Sequence, residues 1–362
     1  MTKRSSRRAV GLAVSVALGL AACQGAPAGS VAGPPASGAP VVATPVPSLT
    51  VALPPGGRLV FDRFDSNQND AWLGTFVIGG EPGDNRPLTV PVKAGGGLVA
   101  VWSPDGRRIL LNVWTPPSGP TRPAIMNADG TGFRSIDLKG SVSDLGCSAW
   151  SPDGTTLLCS ISSADHATDG IYSVRTDGTH LTRLTVSPYH DTVGTAGECG
   201  GGDSRAVFSP DGKQFAFIRQ KCGIGADPSS DESGAILIAN ADGTGLREIV
   251  PQGGVRTHEG SALSWSPDGS WIAFGTQDQY LSLVHPDGTG LVKPLVDVGN
   301  APINGVFGPS WSPDGKWLVF GTVDQGVVGD LFMVAPDGSN LTRVQGETEG
   351  AAFVNWGARP SP

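Results

Sequence analysis

From Pro54 onward the apolar residues fall in short runs, rich in β-branched and aromatic side chains and bounded by turn residues. Five runs align: RRILLNV at Arg107, TTLLCSI at Thr155, KQFAFIR at Lys213, SWIAFGT at Ser270 and KWLVFGT at Lys316. Each follows Ser-Pro-Asp-Gly, at Ser103–Gly106, Ser151–Gly154, Ser209–Gly212, Ser266–Gly269 and Ser312–Gly315. Those four letters suit a type I β-turn, with Ser first, Pro supplying its preset φ second, Asp third and Gly fourth. With an apolar strand on either side, each copy predicts the tight turn of a hairpin. An aromatic residue precedes each turn: Trp102, Trp150, Phe208, Trp265 and Trp311.

A second turn lies beyond every hairpin: Ala128–Thr131, Thr176–Thr179, Ala241–Thr244, Pro286–Thr289 and Pro336–Ser339, each with Asp-Gly at its centre. Strand-like stretches flank it, so each repeat holds four strands joined as an antiparallel meander. A four-stranded unit recurring every roughly 45 to 58 residues is the pattern of a β-propeller blade. The ends settle the count. Near the C-terminus AAFVNWG ends on a sixth aromatic, Trp356, with no hairpin after it, whereas PPGGRLVF at Pro54 aligns with SPDGRRIL and has no inner strand before it. The expected fold is therefore all-β, a six-bladed propeller over residues 54–357. Its first blade is closed by the C-terminal strand, so no sheet edge is left along the closure. A bulky ring at one place in every blade is expected to be inter-blade core.

The repeat of aromatic-Ser-Pro-Asp-Gly, strand, strand, Asp-Gly-(Thr or Ser), strand resembles the WD-like repeat of the TolB-type propeller family, also found in the propeller of prolyl oligopeptidases. The resemblance covers Pro54 to Trp356 and implies the propeller fold. Function does not follow from it, because one fold hosts many functions. In place of the family's extra N-terminal domain a Pro/Gly/Ala-rich tether is expected here, and no α/β-hydrolase domain is expected beside the propeller.

The chain opens with Lys3, Arg4, Arg7 and Arg8, an uncharged apolar run from Ala9 to Leu20, and Leu20-Ala21-Ala22-Cys23. The run is too short to anchor as a membrane span and reads as an export signal. Its end resembles the lipobox of bacterial lipoproteins, which implies a signal peptide over 1–22 and lipid on Cys23. Residues 23–53, with no charge and an excess of Pro, Gly, Ala and Ser, are expected to be a disordered tether, and 358–362 a short tail. The full chain carries 25 basic and 33 acidic side chains. Without the four basic residues of the signal, 21 stand against 33, a balance of −12 that argues against nucleic acid or anionic lipid as a partner.

Four cysteines remain, and an exported protein keeps disulfides. Taking Trp150 opposite Thr156 in the hairpin puts Cys147 opposite Cys159. Cys199 and Cys222 fall one residue from the matching register around Phe208, so the expected bridges are Cys147 with Cys159 and Cys199 with Cys222. In a meander the first and third connections share one face, and here these are the short uniform turns. The other connections vary in length, and the longest lie between Ser162 and Gly260. Function is expected on that variable face.

Catalytic signatures are missing: there is no Gly-x-Ser-x-Gly, His-Glu-x-x-His or phosphate loop. The stretch Asp65–Asp70 (DSNQND) alternates oxygens like a calcium loop, yet it lacks the sixth-position Gly and has Phe76 where the bidentate Glu belongs. It reads as a polar strand connection. His190-Asp191 and His258-Glu259 fall in connections leading to neighbouring inner strands, with His166 on the same face and His180 and His285 on the other. Two His and two carboxylates meeting at the central opening would suit zinc or acid–base work; solvated loop residues are the simpler account. The sequence thus predicts a non-enzymatic, lipid-anchored binding propeller on the outer side of a bacterial membrane. It would need no cofactor and would engage a protein or an envelope or extracellular glycan. The alternative is a metal-assisted hydrolase or lyase using the His190 and His258 loops.

Overall fold

The computed structural model describes residues 50–51, 53–54, 57–65, 71–79, 86–88, 97–113, 120–138, 144–163, 167–188, 202–220, 233–256, 262–276, 280–296, 305–324, 327–344 and 350–358. These residues form six four-stranded antiparallel blades, one of which carries a fifth, parallel strand at its outer edge, and they contain no helix. From inside outward, blade 2 is Gly97–Trp102, Arg108–Val113, Arg122–Asn127 and Arg134–Ser135. Blades 3 to 6 start with Asp144–Trp150, Gly202–Phe208, Leu263–Trp265 and Gly305–Trp311 and follow the same order. Blade 1 takes its inner strand, Ala351–Gly357, from the far end of the sequence and continues with Arg58–Asp65, Ala71–Gly79 and Arg86–Leu88. The expected closure is what the chain forms.

The second strand of each blade explains why its apolar run is continuous rather than alternating. In blade 2, Ile109 and Leu111 pack toward blade 1 with Val60, Val77 and Trp102. Leu110, between them, packs toward blade 3 with Cys147, Trp150 and Leu157. Both faces of the strand are buried, so both registers must be apolar. Six such clusters fill the six junctions between blades. Trp102, Trp150, Trp265, Trp311 and Trp356 are all buried there, as the repeat implied.

Two details go beyond the sequence-derived picture. Thr50–Val51 adds a fifth strand to blade 6, parallel to Thr342–Val344, and Leu53 is buried against Leu59 and Met333. The ordered scaffold therefore begins ahead of Pro54, inside the stretch assigned to the tether, because the outer edge of blade 6 offers unpaired backbone groups to which these residues bond. The second detail concerns the cysteines. Trp150 lies opposite Leu157, not Thr156, and a β-bulge that adds Ser148 restores Cys147 opposite Cys159. The Cys147–Cys159 disulfide is present within blade 3, so the expected pairing holds although its register ran through an inserted residue.

Candidate binding face and central channel

The uniform face is built from one repeated hydrogen-bond device. In Ser151–Gly154 the turn closes with the Gly154 N–H on the Ser151 carbonyl at 2.8 Å. The Ser151 hydroxyl donates to Asp153 Oδ1 at 2.5 Å and accepts the Thr156 N–H at 2.9 Å, while Asp153 also takes the Thr155 N–H. Gly154, at φ 69°, supplies the left-handed residue that lets the hairpin close. The same contacts recur around Asp105, Asp211, Asp268 and Asp314. Hydrogen bonds from Ser209 and from the Lys213 backbone bring the Asp211 carboxyl down to about 2, and those from Ser151 and Ser266 hold Asp153 and Asp268 below the usual carboxylate range. The repeated Ser and Asp are thus turn formers, not a nucleophile and an acid, and this face is a rigid base.

On the opposite face the feet of the longest connections are pinned by buried polar groups. Asp203, at the start of blade 4, accepts two hydrogen bonds from the Arg219 guanidinium, Nε to Oδ1 at 2.6 Å and Nη2 to Oδ2 at 2.7 Å. Thr185, at the end of blade 3, donates its hydroxyl to Asp203 Oδ2 at 2.6 Å and accepts the Ile171 N–H at 2.9 Å. Arg219 also reaches the Val186 carbonyl. The Asp203 side chain is 0% exposed and that of Arg219 11%, so the pair is shielded from water. One carboxylate therefore ties together the three chain segments from which the connections at 189–201 and 221–232 depart. Nearby, Arg183 donates to the carbonyls of Ala167, Asp169 and Thr185, and Asp169 accepts the Ser163 N–H. These bonds fix the foot of the preceding connection.

Between the two faces the six inner strands enclose a channel with a cavity of about 420 Å³. In each hairpin the Ser after the aromatic residue bonds across to the second strand. By antiparallel alternation the N–H of the aromatic residue itself turns away from that strand, toward the channel and the preceding blade. In half the ring a side chain from the preceding blade meets it. Asn355 Oδ1 accepts the Trp102 N–H at 2.9 Å, Ser264 Oγ the Trp311 N–H at 3.1 Å and Ser310 Oγ the Trp356 N–H at 2.9 Å. The matching positions before Trp150, Phe208 and Trp265 are Val101, Ala149 and Val207, which carry no acceptor. Between blades 3 and 4 the stitch is of another kind: the Ser148 hydroxyl, also in the channel lining, donates to the Ala206 carbonyl at 2.6 Å. Arg205 is the one charged side chain among the described residues lining it.

Of the residues singled out in the sequence, Cys147 and Cys159 are bonded as expected. His190, Asp191, His258, Glu259, His166, Cys199, Cys222 and Cys23 lie outside the described residues, as does Asp65–Asp70 beyond its first residue. Among the described residues no group of three or more His, Cys, Asp or Glu is placed to hold a metal ion. His180 sits in a uniform turn beside Thr179, and His285 stacks on Trp271 at 3.7 Å between ring centroids, so both are occupied on the far face. Trp271 and Trp317 are half-buried on that side, packed against the core between blades 5 and 6 and that between blades 6 and 1. Sequence inspection passed over Thr185, Asp203, Arg219 and Arg205. A signal for Arg205 exists in hindsight of the repeat: it stands three residues before the aromatic, where blade 6 has Gly308.

The WD domain, G-beta repeat family matches residues 251–289. No curated protein matches by sequence. Among solved structures, TolB from Acinetobacter baumannii superposes with a TM-score of 0.57 at 17% identity, over 83% of this chain and 66% of that one. The putative TolB from Agrobacterium tumefaciens gives 0.54 at 19% identity, over 84% and 98%. A nidogen/laminin complex structure gives 0.58 at 12% identity, over 84% and 100%. The chain is thus a TolB-like propeller of WD-type repeats in fold. Because 1066 solved chains share this likeness, it identifies architecture and leaves function to the site.

Proposed function

We propose that this TolB-like propeller is a non-enzymatic binding platform, held on the extracytoplasmic side of a bacterial membrane by lipid on Cys23. In this reading it engages a protein or glycan through its variable-loop face. The observation that carries the reading is the contrast between the faces. One is a five-fold repetition of the same hydrogen-bonded turn; on the other, a buried Asp203–Arg219–Thr185 network braces the feet of connections that differ from blade to blade. A rigid scaffold presenting unequal loops is a recognition architecture. The Cys147–Cys159 disulfide supports an oxidising compartment. The mature balance of −12 favours a basic partner.

Two experiments test it. In cells, Cys23→Ala should move the protein from the membrane fraction to the soluble one; retention in the membrane refutes lipid anchoring at that residue. For the face, residues 189–201 are replaced by a Gly/Ser linker of equal length. In-cell cross-linking followed by mass spectrometry, together with a glycan array, should show that replacement abolishes ligand capture while Lys213→Ala on the turn face does not. Equal loss from both variants refutes the assignment. The competing reading, a metal-assisted hydrolase or lyase at His190 and His258, requires stoichiometric zinc or calcium that disappears in His190→Ala/His258→Ala.

A further inference from the structure

We propose that residues 50–54 are a latch that holds the ring shut at the one place where its strands are not joined by the chain. In blades 2 to 6 the inner strand runs into the second strand through a tight turn, so the two stay neighbours even when their hydrogen bonds open. In blade 1 they come from opposite ends of the sequence, Ala351–Gly357 and Arg58–Asp65, and no turn joins them. Their pairing runs from Arg58 opposite Gly357 to Arg63 opposite Ala351, with a bulge between Val60 and Asp62. Here the ring can open without undoing a hairpin.

The segment ahead of the second strand bypasses that break. Thr50 pairs with Arg343 and Val51 with Val344, in parallel, so the outer edge of blade 6 is bonded to the chain that leads into blade 1. Leu53, 8% exposed, joins a buried cluster drawn from both sides of the break: Leu59 and Phe61 on one, Val354 and Trp356 on the other, with Met333 and Val344 of blade 6. The Gly57 N–H then donates to the Pro54 carbonyl at 3.0 Å. Gly57 passes so close to Trp356 that a Cβ there would stand 2.9 Å from its Nε1. These contacts form a loop around the break, because blade 6 itself leads into the C-terminal strand. On the channel side Asn355 of that strand accepts the Trp102 N–H of blade 2; the latch holds the outer side. Opening the ring must therefore strip the edge pairing and expose Leu53 as well as part the two strands of blade 1.

The test is hydrogen exchange by mass spectrometry on the purified full chain, unaltered and in two variants. Thr50→Pro/Val51→Pro removes both backbone donors of the latch strand, and Leu53→Ala empties its buried contact. Each should speed exchange in Arg58–Asp65 and Ala351–Gly357 at least about ten-fold, while the blade 4 hairpin, Gly202–Phe208 with Gln214–Gln220, stays within about two-fold of its original rate. Unchanged exchange at the break in both variants overturns the proposal. So does equal acceleration in blade 4, which would make the segment a general prop rather than a latch. In the unaltered chain residues 50–53 should themselves be protected. Exchange there at the rate of a free peptide, with Ala351–Gly357 still protected, overturns the proposal too, and that measurement stands whether or not either variant folds.

Discussion

Replacing Asp203 with Ala separates a pinned loop foot from an incidental surface contact. The substitution removes two charge-assisted bonds of 2.6 and 2.7 Å to Arg219 and the 2.6 Å bond from Thr185. Arg219, only 11% exposed, is left as a shielded charge that keeps the Val186 carbonyl and the face of the Phe217 ring. Breaking a buried pair from one side costs about 3–5 kcal/mol, far more than the ~0–1 kcal/mol of an exposed ion pair. At about 2–3 °C per kcal/mol for a large domain, the melting temperature should fall by roughly 6–15 °C. Asp203→Leu/Arg219→Met, which removes both charges, should recover most of that loss, because the penalty lies in the orphaned charge rather than in the missing attraction. Calorimetry gives the shifts, and hydrogen exchange gives their location: the Ile171 amide, bonded to Thr185 Oγ1, should lose protection first. A fall of under about 1 kcal/mol for Asp203→Ala, or a double variant as unstable as the single, would refute the reasoning by showing that the pair is screened by water.

Three further outcomes follow from the scaffold. The carboxyls of Asp153, Asp211 and Asp268 sit below their ordinary value, so the stability they contribute is complete above about pH 4 and declines as pH falls toward about 2; urea midpoints measured from pH 5 to pH 2 should drop in that window and stay flat above it. Cys147→Ala/Cys159→Ala opens a bridge of sequence separation 12 and should lower stability by about 2–3 kcal/mol, read from urea unfolding of the variant beside the unaltered chain. Trp265→Ala, in the cluster with Ile218, Ile236 and Phe274, should cost about 3–5 kcal/mol by calorimetry, whereas Val186→Ala, 57% exposed, should leave the melting point within about 1 kcal/mol of the original.

Much of the architecture is legible in the sequence because it is written five times. A turn that needs Pro at one position and a left-handed Gly at another can be read from four letters, and an aromatic at fixed distance marks the inter-blade core. Even the closure of blade 1 follows from matching the ends. The site is legible in outline only. The variable face could be told from the uniform one by the parity of the connections, but the residues that brace it could not be recognised. Asp203, Arg219 and Thr185 are ordinary letters, separated by a long connection, that become a buried network only when blades 3 and 4 pack side by side.

Local chemistry thus determined by itself the strands, the turns, the number of blades and the pairing of Cys147 with Cys159, since each depends on neighbours within one hairpin or on the repetition of one pattern. Tertiary structure alone decided the rest. It moved the register of blade 3 by a bulge, drew Thr50–Val51 onto the edge of blade 6, and stitched the channel wall with Asn355, Ser264, Ser310 and Ser148. The physical reason is that a ring must close. Six blades meet at one axis, where inner-strand backbone left unpaired by its own sheet must find partners in other blades, and no local stretch of sequence records which side chain will be there.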